Sequence, residues 1–257
     1  MSARLRDRLR QAAPGLYHLL RSARYALAPE RADAATQAIL DKLCGEELQV
    51  VGGPFADLPY VAFASGSGLL PKIIGCYEAE LHPILERVRT REYDRLIDIG
   101  SGEGYYVAGF GRALPSLEIV AVDTDPLARA RLKQLVQRNG LTQRVRLLSR
   151  IDVTRLEREI QGRTLIWSDC EGFEDELLRP ELSPGLLRAD LLVETHEFLR
   201  PGVVTRLIER FASSHSITRI PVAPRDLHSY PALARLTDSE QARALDEGRP
   251  AGMEWLW

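Results

Sequence analysis

The chain divides into segments with two different spacings of apolar residues. Short, continuous apolar runs alternate with longer segments in which apolar residues recur every three or four positions. The short runs predict strands over 95–99, 118–122, 144–148, 165–167, 191–193, 217–222 and 253–257. The longer segments predict helices over 105–113, 126–138, 153–160, 174–178 and 203–212. Because strands and helices alternate, we expect a doubly wound α/β fold with a mostly parallel sheet and a C-terminal antiparallel strand.

The first 77 residues do not follow this alternation, and we expect them to form a separate N-terminal cap. Residues 1 to about 45 are predicted to be helical, with a stop at Cys44-Gly45. Two apolar runs, 48–51 and 60–63, flank a turn-rich segment and predict a small β-hairpin or two short strands. A helix over 78–89 then opens the main domain, which we place at 78–257.

Composition limits the kind of partner. The 257 residues are 45% apolar, which is enough for a substantial core, and the formal net charge is -2. No overall positive field is therefore available to hold a nucleic acid. Three cysteines without C-x-x-C spacing argue against disulfides and a thiolate zinc site and favour a reducing cytoplasm.

No stretch has the ~20 consecutive apolar residues of a membrane span, so stable membrane insertion is not expected. The start of the chain is nevertheless basic, with leucines on one side, and predicts an amphipathic helix interrupted at Pro14-Gly15. This helix would either dock on the protein's own body or lie on an anionic membrane.

The strongest chemical signal follows the first strand of the main domain. The strand leads directly into a glycine-rich turn, Asp98-Ile99-Gly100-Ser101-Gly102-Glu103-Gly104. Such a turn lets the backbone approach a ligand closely, although it also serves as a plain strand–helix connection. The dinucleotide fingerprint would need glycine at Tyr105, and the carboxylates of Asp98 and Glu103 would repel a pyrophosphate. They would attract an ammonium or sulfonium group instead, so the turn predicts a cationic ligand.

Two further acids follow the next two strands. Asp123 ends the second strand, where a carboxylate can accept both hydroxyls of a ribose. Capping of the next helix belongs more naturally to Thr124 or Asp125, because Pro126 favours the first helical turn. Asp152 follows the third strand and either accepts from an adenine amino group or caps a helix. This placement suits an adenosine-containing cofactor.

These motifs resemble those of class I S-adenosylmethionine-dependent methyltransferases. Residues 96–104 are similar to their first motif and residues 120–123 to their second, within a resemblance that spans about 78–257. A shorter match, over 167–174 and 193–196, resembles the FkbM-like methyltransferases, which typically methylate hydroxyls of sugars and natural products.

The resemblance implies a Rossmann-like fold, S-adenosylmethionine as cofactor and O-methylation of a hydroxylated small molecule. It also implies that the cap, 1–77, shapes the acceptor pocket. The expected partners are that acceptor and, in a homodimer, a second copy of the chain. The residues expected to hold the cofactor are Asp98, Gly100, Ser101, Gly102, Gly104, Asp123, Thr124 and Asp152.

The acceptor site is expected beyond the fourth and fifth strands, where Asp169, Glu194 and His196 follow. Two carboxylates and an imidazole could hold a divalent metal ion. Their placement is similar to that in metal-dependent O-methyltransferases. Those enzymes, however, usually have an acid followed by an acid or an amide where this sequence has Glu194-Thr195-His196. Without a metal, His196 would be the general base with Asp169 beside it. A histidine that only satisfies the core is a third interpretation. Four side chains stand just before or within the helix that leads into the sheet, where a cap can contact both ligands, although solvated surface is the favoured interpretation for each: Lys72, Tyr77, Glu78 and His82.

Three other classes of function stay open at this point. A nucleotide-dependent oxidoreductase is disfavoured by the spacing and charge of the glycine turn. A nucleic-acid amino-methyltransferase would need an Asn/Asp-Pro-Pro-aromatic motif, where residues 168–171 read Ser-Asp-Cys-Glu. A non-catalytic interaction protein could keep the fold, but it would have little need for so many acids at the ligand edge.

Overall fold

The computed structural model describes residues 13, 16, 33–249 and 252–257. The predicted basic amphipathic helix lies outside these residues, apart from the two isolated positions. The predicted helix stop is confirmed, because α1 (Ala34–Cys44), the first helix whose bounds are described, is followed by Gly45, which has a φ of +66°. Asp33 begins this helix by accepting a hydrogen bond from the backbone N–H of Thr36.

Seven strands form one sheet in the order β3-β2-β1-β4-β5-β7-β6. β7 is antiparallel to both of its neighbours, and the other pairs are parallel. This architecture confirms the predicted Rossmann-like, doubly wound sheet with a C-terminal antiparallel strand. The strands are β1 (Arg95–Ile99), β2 (Glu118–Val122), β3 (Val145–Leu148), β4 (Thr164–Ser168), β5 (Asp190–Thr195), β6 (Arg219–Pro221) and β7 (Glu254–Leu256).

Helices cover both faces of the sheet and precede it in the chain. After α1 the α-helices are α2 (Leu69–Ile74), α3 (His82–Thr90), α4 (Tyr105–Ala113), α5 (Pro126–Arg138), α6 (Val153–Glu159), α7 (Glu174–Leu177), α8 (Val203–Phe211) and α9 (Asp238–Ala244). Short 3₁₀ helices are Ala79–Leu81, Pro184–Arg188, Leu227–Ser229 and Pro231–Arg235. No helix among the described residues has the length and apolar character needed to cross a bilayer.

The two faces of the sheet bury separate apolar clusters because successive side chains of a strand point to opposite faces. Leu96, Trp167 and Trp255 belong to the cluster that also contains Ile39 and Tyr60 from the N-terminal region. The opposite cluster holds Ile97, Ile99, Ile166, Val193 and Leu256 together with residues of α8. The N-terminal region therefore packs on the sheet face that also carries Trp167 and Trp255.

Three parts of the N-terminal half differ from the prediction. The expected hairpin is reduced to one antiparallel bridge between Gln49 and Pro59. The helix expected over 78–89 is split, because Glu78 has a φ of +48° and Pro83 stands in the first turn of α3. The helix α2 was not predicted, since its six residues include Pro71 and are too short for a clear periodicity.

Candidate cofactor and acceptor site

A cavity of about 970 Å³ runs along the edge of the sheet at which the parallel strands end. One end is formed by the glycine turn and the residues after β2 and β3, including Asp98, Asp123 and Asp152. The other end is formed by residues after β4 and on β5, including Asp169 and Glu194. Ligands of open α/β sheets bind at this edge, and the predicted cofactor residues line one cavity with Asp169 and Glu194 of the predicted acceptor site. The exceptions are Gly104 and the buried His196, which are not among the residues that line it.

Glycine is required at two positions of the turn. A Cβ on Gly100, where φ is +86°, would lie 1.7 Å from the backbone oxygen of Asp169. A Cβ on Gly104, where φ is +98°, would lie 2.1 Å from the side chain of Leu132. The turn is therefore packed directly against the residue after β4 and against α5.

Hydrogen bonds join the turn to the end of β2. Ser101 donates its hydroxyl to the backbone oxygen of Asp98 at 2.7 Å and accepts from the N–H of Val122 at 3.0 Å. The carboxylate of Asp123 accepts from the N–H of Gly102 at 2.7 Å. Asp123, half-buried on the cavity wall, thus helps to fix the conformation of the turn.

Two aspartates near the cofactor end cap helices. Asp125, not Thr124, caps α5 by accepting from the N–H of Leu127 at 2.8 Å. Asp152 caps α6 by accepting from the N–H of Arg155 at 2.7 Å, and it is exposed at the cavity wall. A contact between Asp152 and an adenine group stays a prediction, as does the role of Thr124, which also lines the cavity.

The expected role of Glu103 in attracting a cationic ligand is wrong. Its carboxylate is fully buried and accepts from the ammonium of Lys72 at 2.5 Å, the hydroxyl of Tyr60 at 2.6 Å and the N–H of Ser65 at 2.8 Å. Glu103 is not among the residues that line the cavity. The expectation that Lys72 is solvated surface is wrong for the same reason, because this ion pair is buried.

Asp98 keeps the position expected for a group that binds a cation. It is 3% exposed and lines the cavity beside the glycine turn. Burial, followed by the charge of Asp123, raises the pKa of Asp98 to about 8, against a smaller opposing effect of Lys72. At neutral pH most molecules of the free protein therefore carry a proton on Asp98.

This pKa predicts proton release when a cationic ligand binds. A ligand ammonium beside Asp98 favours the ionised carboxylate, so its pKa falls and a substantial fraction of one proton leaves at pH 7. The release should fade above about pH 8, where Asp98 is already ionised in the free protein. Calorimetry of S-adenosylhomocysteine binding in buffers with different ionisation enthalpies measures this proton. An Asp98→Asn variant that releases as many protons as the wild type would contradict the assignment.

His196 is the centre of the acceptor end. Its Nδ1 lies 2.7 Å from Oε1 of Glu174, which is fully buried. Its Nε2 lies 3.5 Å from Asp169, 3.3 Å from Glu171 and 3.7 Å from Glu194. Donation from Nδ1 to Glu174 fixes the ring so that Nε2 faces the three other carboxylates. Two of these, Asp169 and Glu194, were predicted for this site, and Glu171 is the third.

The charges in this cluster change the behaviour expected of His196. Burial opposes the charged ring, but hydrogen bonds with Glu171 and Glu174 and the charges of Glu194 and Asp169 outweigh it and raise the pKa of His196 well above its usual value. Burial and the neighbouring charges of Glu194 and Glu171 raise the pKa of Asp169. His196 therefore does not have the near-neutral pKa on which its predicted role as a general base acting alone depends.

Among the residues that the structure describes, Asp169, Glu171 and His196 have carboxylate and imidazole atoms that lie within 4.8 Å of one another, close enough to hold one metal ion. This set replaces Glu194 of the predicted set with Glu171. Glu194 is instead paired with the guanidinium of Arg249. Asp169 Oδ1 is buried and has no hydrogen-bond partner among the described residues, so the donor set fits a small divalent cation.

Two further charged residues, Glu78 and Arg249, line this end of the cavity. Glu78 is 2% exposed, lines the cavity and accepts from the hydroxyl of Tyr106 at 2.5 Å, which corrects its assignment as solvated surface. Arg249 also lines the cavity and pairs with Glu80 and Glu194. Arg249 lies in a turn-like part of the sequence with no pattern of its own, so only long-range contacts could have revealed it.

Comparisons with known proteins show only distant structural likeness. No family model matches the sequence, and no curated protein is significantly similar to it. Among solved structures, the chain is similar to a human methyltransferase 10 domain containing protein, with 14% identity, a TM-score of 0.47 and coverage of 86% of this chain and 95% of that one. It is also similar to a provisionally assigned O-methyltransferase from Klebsiella pneumoniae, with 13% identity, a TM-score of 0.45 and coverage of 93% and 96%. The C-terminal domain of precorrin-6Y C5,15-methyltransferase from Rhodobacter capsulatus has 16% identity, a TM-score of 0.45 and coverage of 68% and 87%. At such values the activity must be argued from the site.

Proposed function

We propose that the protein is an S-adenosylmethionine-dependent methyltransferase that methylates a hydroxyl group of a small molecule, such as a sugar or a natural product. The observation that carries this proposal is the continuity of one cavity from the glycine turn to the carboxylates around His196. Gly100 and Asp169 are in backbone contact where the two ends meet. A methyl donor at the turn would therefore lie beside proton-accepting groups one strand away.

The cofactor end offers a partner for each polar part of S-adenosylmethionine. Asp98, on the cavity wall, would bind its ammonium group, and Asp123 would accept hydrogen bonds from its ribose hydroxyls. Both carboxylates would repel the pyrophosphate of a dinucleotide. Thr124 and Asp152 stand nearby for the adenine end. This charge pattern favours a sulfonium cofactor over the dinucleotide of an oxidoreductase.

The acceptor end supplies what a hydroxyl nucleophile needs. In methyl transfer the acceptor oxygen attacks the methyl carbon in line, the carbon–sulfur bond breaks, and S-adenosylhomocysteine leaves as a neutral thioether. The hydroxyl proton must go to a nearby base. Asp169 Oδ1 has no hydrogen-bond partner among the residues described and lines the cavity, so it is placed to receive that proton while His196 orients and balances the cluster.

A metal-assisted form of the same reaction is the second candidate. The observation in its favour is the 4.8 Å grouping of Asp169, Glu171 and His196. A divalent ion held there would supply a Lewis acid that lowers the pKa of the acceptor hydroxyl. Glu174 would then orient His196 through its Nδ1, at the observed 2.7 Å.

Binding of S-adenosylmethionine and S-adenosylhomocysteine, measured by calorimetry, tests the proposal. Both should bind with micromolar-scale affinity. Asp123→Ala should weaken binding by roughly 1 to 3 kcal/mol through the lost charge-assisted bonds to the ribose. Asp125→Ala is the matched control, because it removes a neighbouring carboxylate that caps α5.

A folded protein that gives no heat and no thermal shift with either ligand would refute the assignment, and binding of NAD or NADP instead would favour the oxidoreductase. The acceptor is to be sought in a panel of hydroxylated sugars and natural products, with formation of S-adenosylhomocysteine as the readout. The formal charge of -2 supports such acceptors over nucleic acid.

A further inference from the structure

Lys72 of α2 is a buried cation on the cavity wall. Its side chain is 6% exposed and is held between the carboxylate of Glu103, at 2.5 Å, and the ring of Tyr77, whose centroid lies 4.7 Å from Nζ. Lys72 nevertheless lines the cavity, whereas Glu103 does not. Lys72 is thus paired with a buried carboxylate and belongs to the wall of the space that a ligand would fill.

In this pair, Glu103 uses more of its hydrogen-bonding capacity than Lys72 does. Glu103 receives three donors, from Lys72, Tyr60 and Ser65. An ammonium group has three N–H donors, and within the described part of the chain one of them is used, by Glu103 Oε1. Two N–H donors of Lys72 are left for a ligand, and desolvation makes a charged partner favourable there.

Asp98 lines the same cavity as Lys72. The two residues interact electrostatically, because the charge of Lys72 partly lowers the pKa of Asp98. The wall beside the glycine turn therefore carries one acidic side chain, which a cationic ligand would ionise, and one ammonium group. This pair is complementary to the ammonium and the carboxylate of an α-amino acid.

The other cations of the cavity wall are less suited to an anion at this place. Arg249 is already paired with Glu80 and Glu194 at the acceptor end. Arg150 is exposed and follows β3, next to Asp152 at the far end of the cofactor half. Lys72 is the buried cation that adjoins the glycine turn.

We propose that Lys72 binds the carboxylate of the methionine moiety of S-adenosylmethionine while Asp98 receives its ammonium group. This inference rests on the proposed function and assigns a cofactor contact to the N-terminal region. Glu103 also accepts hydrogen bonds from Tyr60 and Ser65. A cofactor carboxylate bound to Lys72 would therefore join a hydrogen-bond network that includes α2 and the loop before it.

The test compares S-adenosylmethionine with decarboxylated S-adenosylmethionine, which keeps the sulfonium, the amino group and the adenosine. The wild type should bind the complete cofactor about 10- to 100-fold more tightly, as expected for charge-assisted hydrogen bonds. Lys72→Met should weaken binding of S-adenosylmethionine by a similar factor and leave the affinity for the decarboxylated ligand within about threefold, so that the preference disappears. Lys72→Arg, which keeps a cation, should retain part of it.

Lys72→Met leaves Glu103 buried without its cation, so the matched variant is the double substitution Lys72→Met/Glu103→Gln, which removes both charges together. It should also lose the preference, whereas Glu103→Gln alone should keep it. Folding of each variant is checked by thermal unfolding.

Two results overturn the inference while leaving the proposed function intact. One is a wild type that binds both ligands equally, and this comparison needs no variant to fold. The other is a folded double variant that still prefers S-adenosylmethionine by the wild-type factor. A folded wild type that binds neither ligand nor S-adenosylhomocysteine refutes the proposed function itself.

Discussion

Replacing His196 with alanine should lower the rate of methyl transfer by about 10²- to 10⁴-fold, the range typical of impaired acid–base catalysis, because Asp169 would lose the group that orients and balances it. The imidazole is 1% exposed and contacts Glu174 on one side and the carboxylates after β4 and β5 on the other. Its removal leaves these carboxylates without the cation that balances them. Single-turnover kinetics with an acceptor from the panel measures the loss, and the affinity for S-adenosylmethionine should stay within a few-fold. His228→Ala, at an exposed 3₁₀ position, is the control.

Chelation separates the two forms of this mechanism. If a metal ion is required, EDTA should abolish turnover and one divalent metal should restore it, and Asp169→Ala and Glu171→Ala should lose metal and activity together. If the cluster acts without a metal, EDTA should have no effect. Activity that survives both chelation and His196→Ala would refute both forms, and the reaction would then depend on orientation of an already reactive acceptor.

Replacing Gly100 with alanine should destabilise the protein by about 2 to 5 kcal/mol. The substitution would force alanine into a left-handed backbone conformation, and its Cβ would also overpack the site. The added Cβ would lie 1.7 Å from the backbone oxygen of Asp169, and neither backbone segment can yield without moving a strand end. Cofactor binding should be lost as well, since the turn must shift away from Asp123. Denaturant unfolding and calorimetry measure the two effects.

Gly140 provides the matched control for this substitution. It has a φ of +67° but no atom within 4 Å of an added Cβ, so Gly140→Ala should show only the conformational cost, about 1 to 2 kcal/mol, with cofactor binding unchanged. Equal destabilisation by the two variants would mean that the contact between Gly100 and Asp169 has no energetic weight. The continuity between the two ends of the cavity would then lose its structural basis.

The fold was predictable because the central strands carry their own signal. All five residues of β4 are buried, and β1 and β2 bury four of five, so each appears in the sequence as a short apolar run. The N-terminal region lacks such a signal. Its bridge between Gln49 and Pro59 and the short helix α2 depend on packing against the sheet rather than on local periodicity.

The candidate site was predictable where its residues directly follow strands. Asp98, Asp123 and Asp169 lie at strand ends, and parallel strands bring such positions to one edge. The buried ion pairs of Lys72 and Arg249 were not predictable, because the partners lie 31 and 55 residues away in the chain. For the same reason, the charge of Glu103 was assigned to the ligand instead of to Lys72.

The position of β7 has a consequence for synthesis of the protein on the ribosome. This strand lies between β5 and β6 and pairs with both, although it follows them in sequence. A nascent chain that already contains β6 has no strand to which β6 can attach until residues 254–256 have left the exit tunnel. The edge of β5 beside the acceptor residues stays unpaired until then, so we expect this part of the sheet to form later than the parallel strands and to need protection from aggregation until it does.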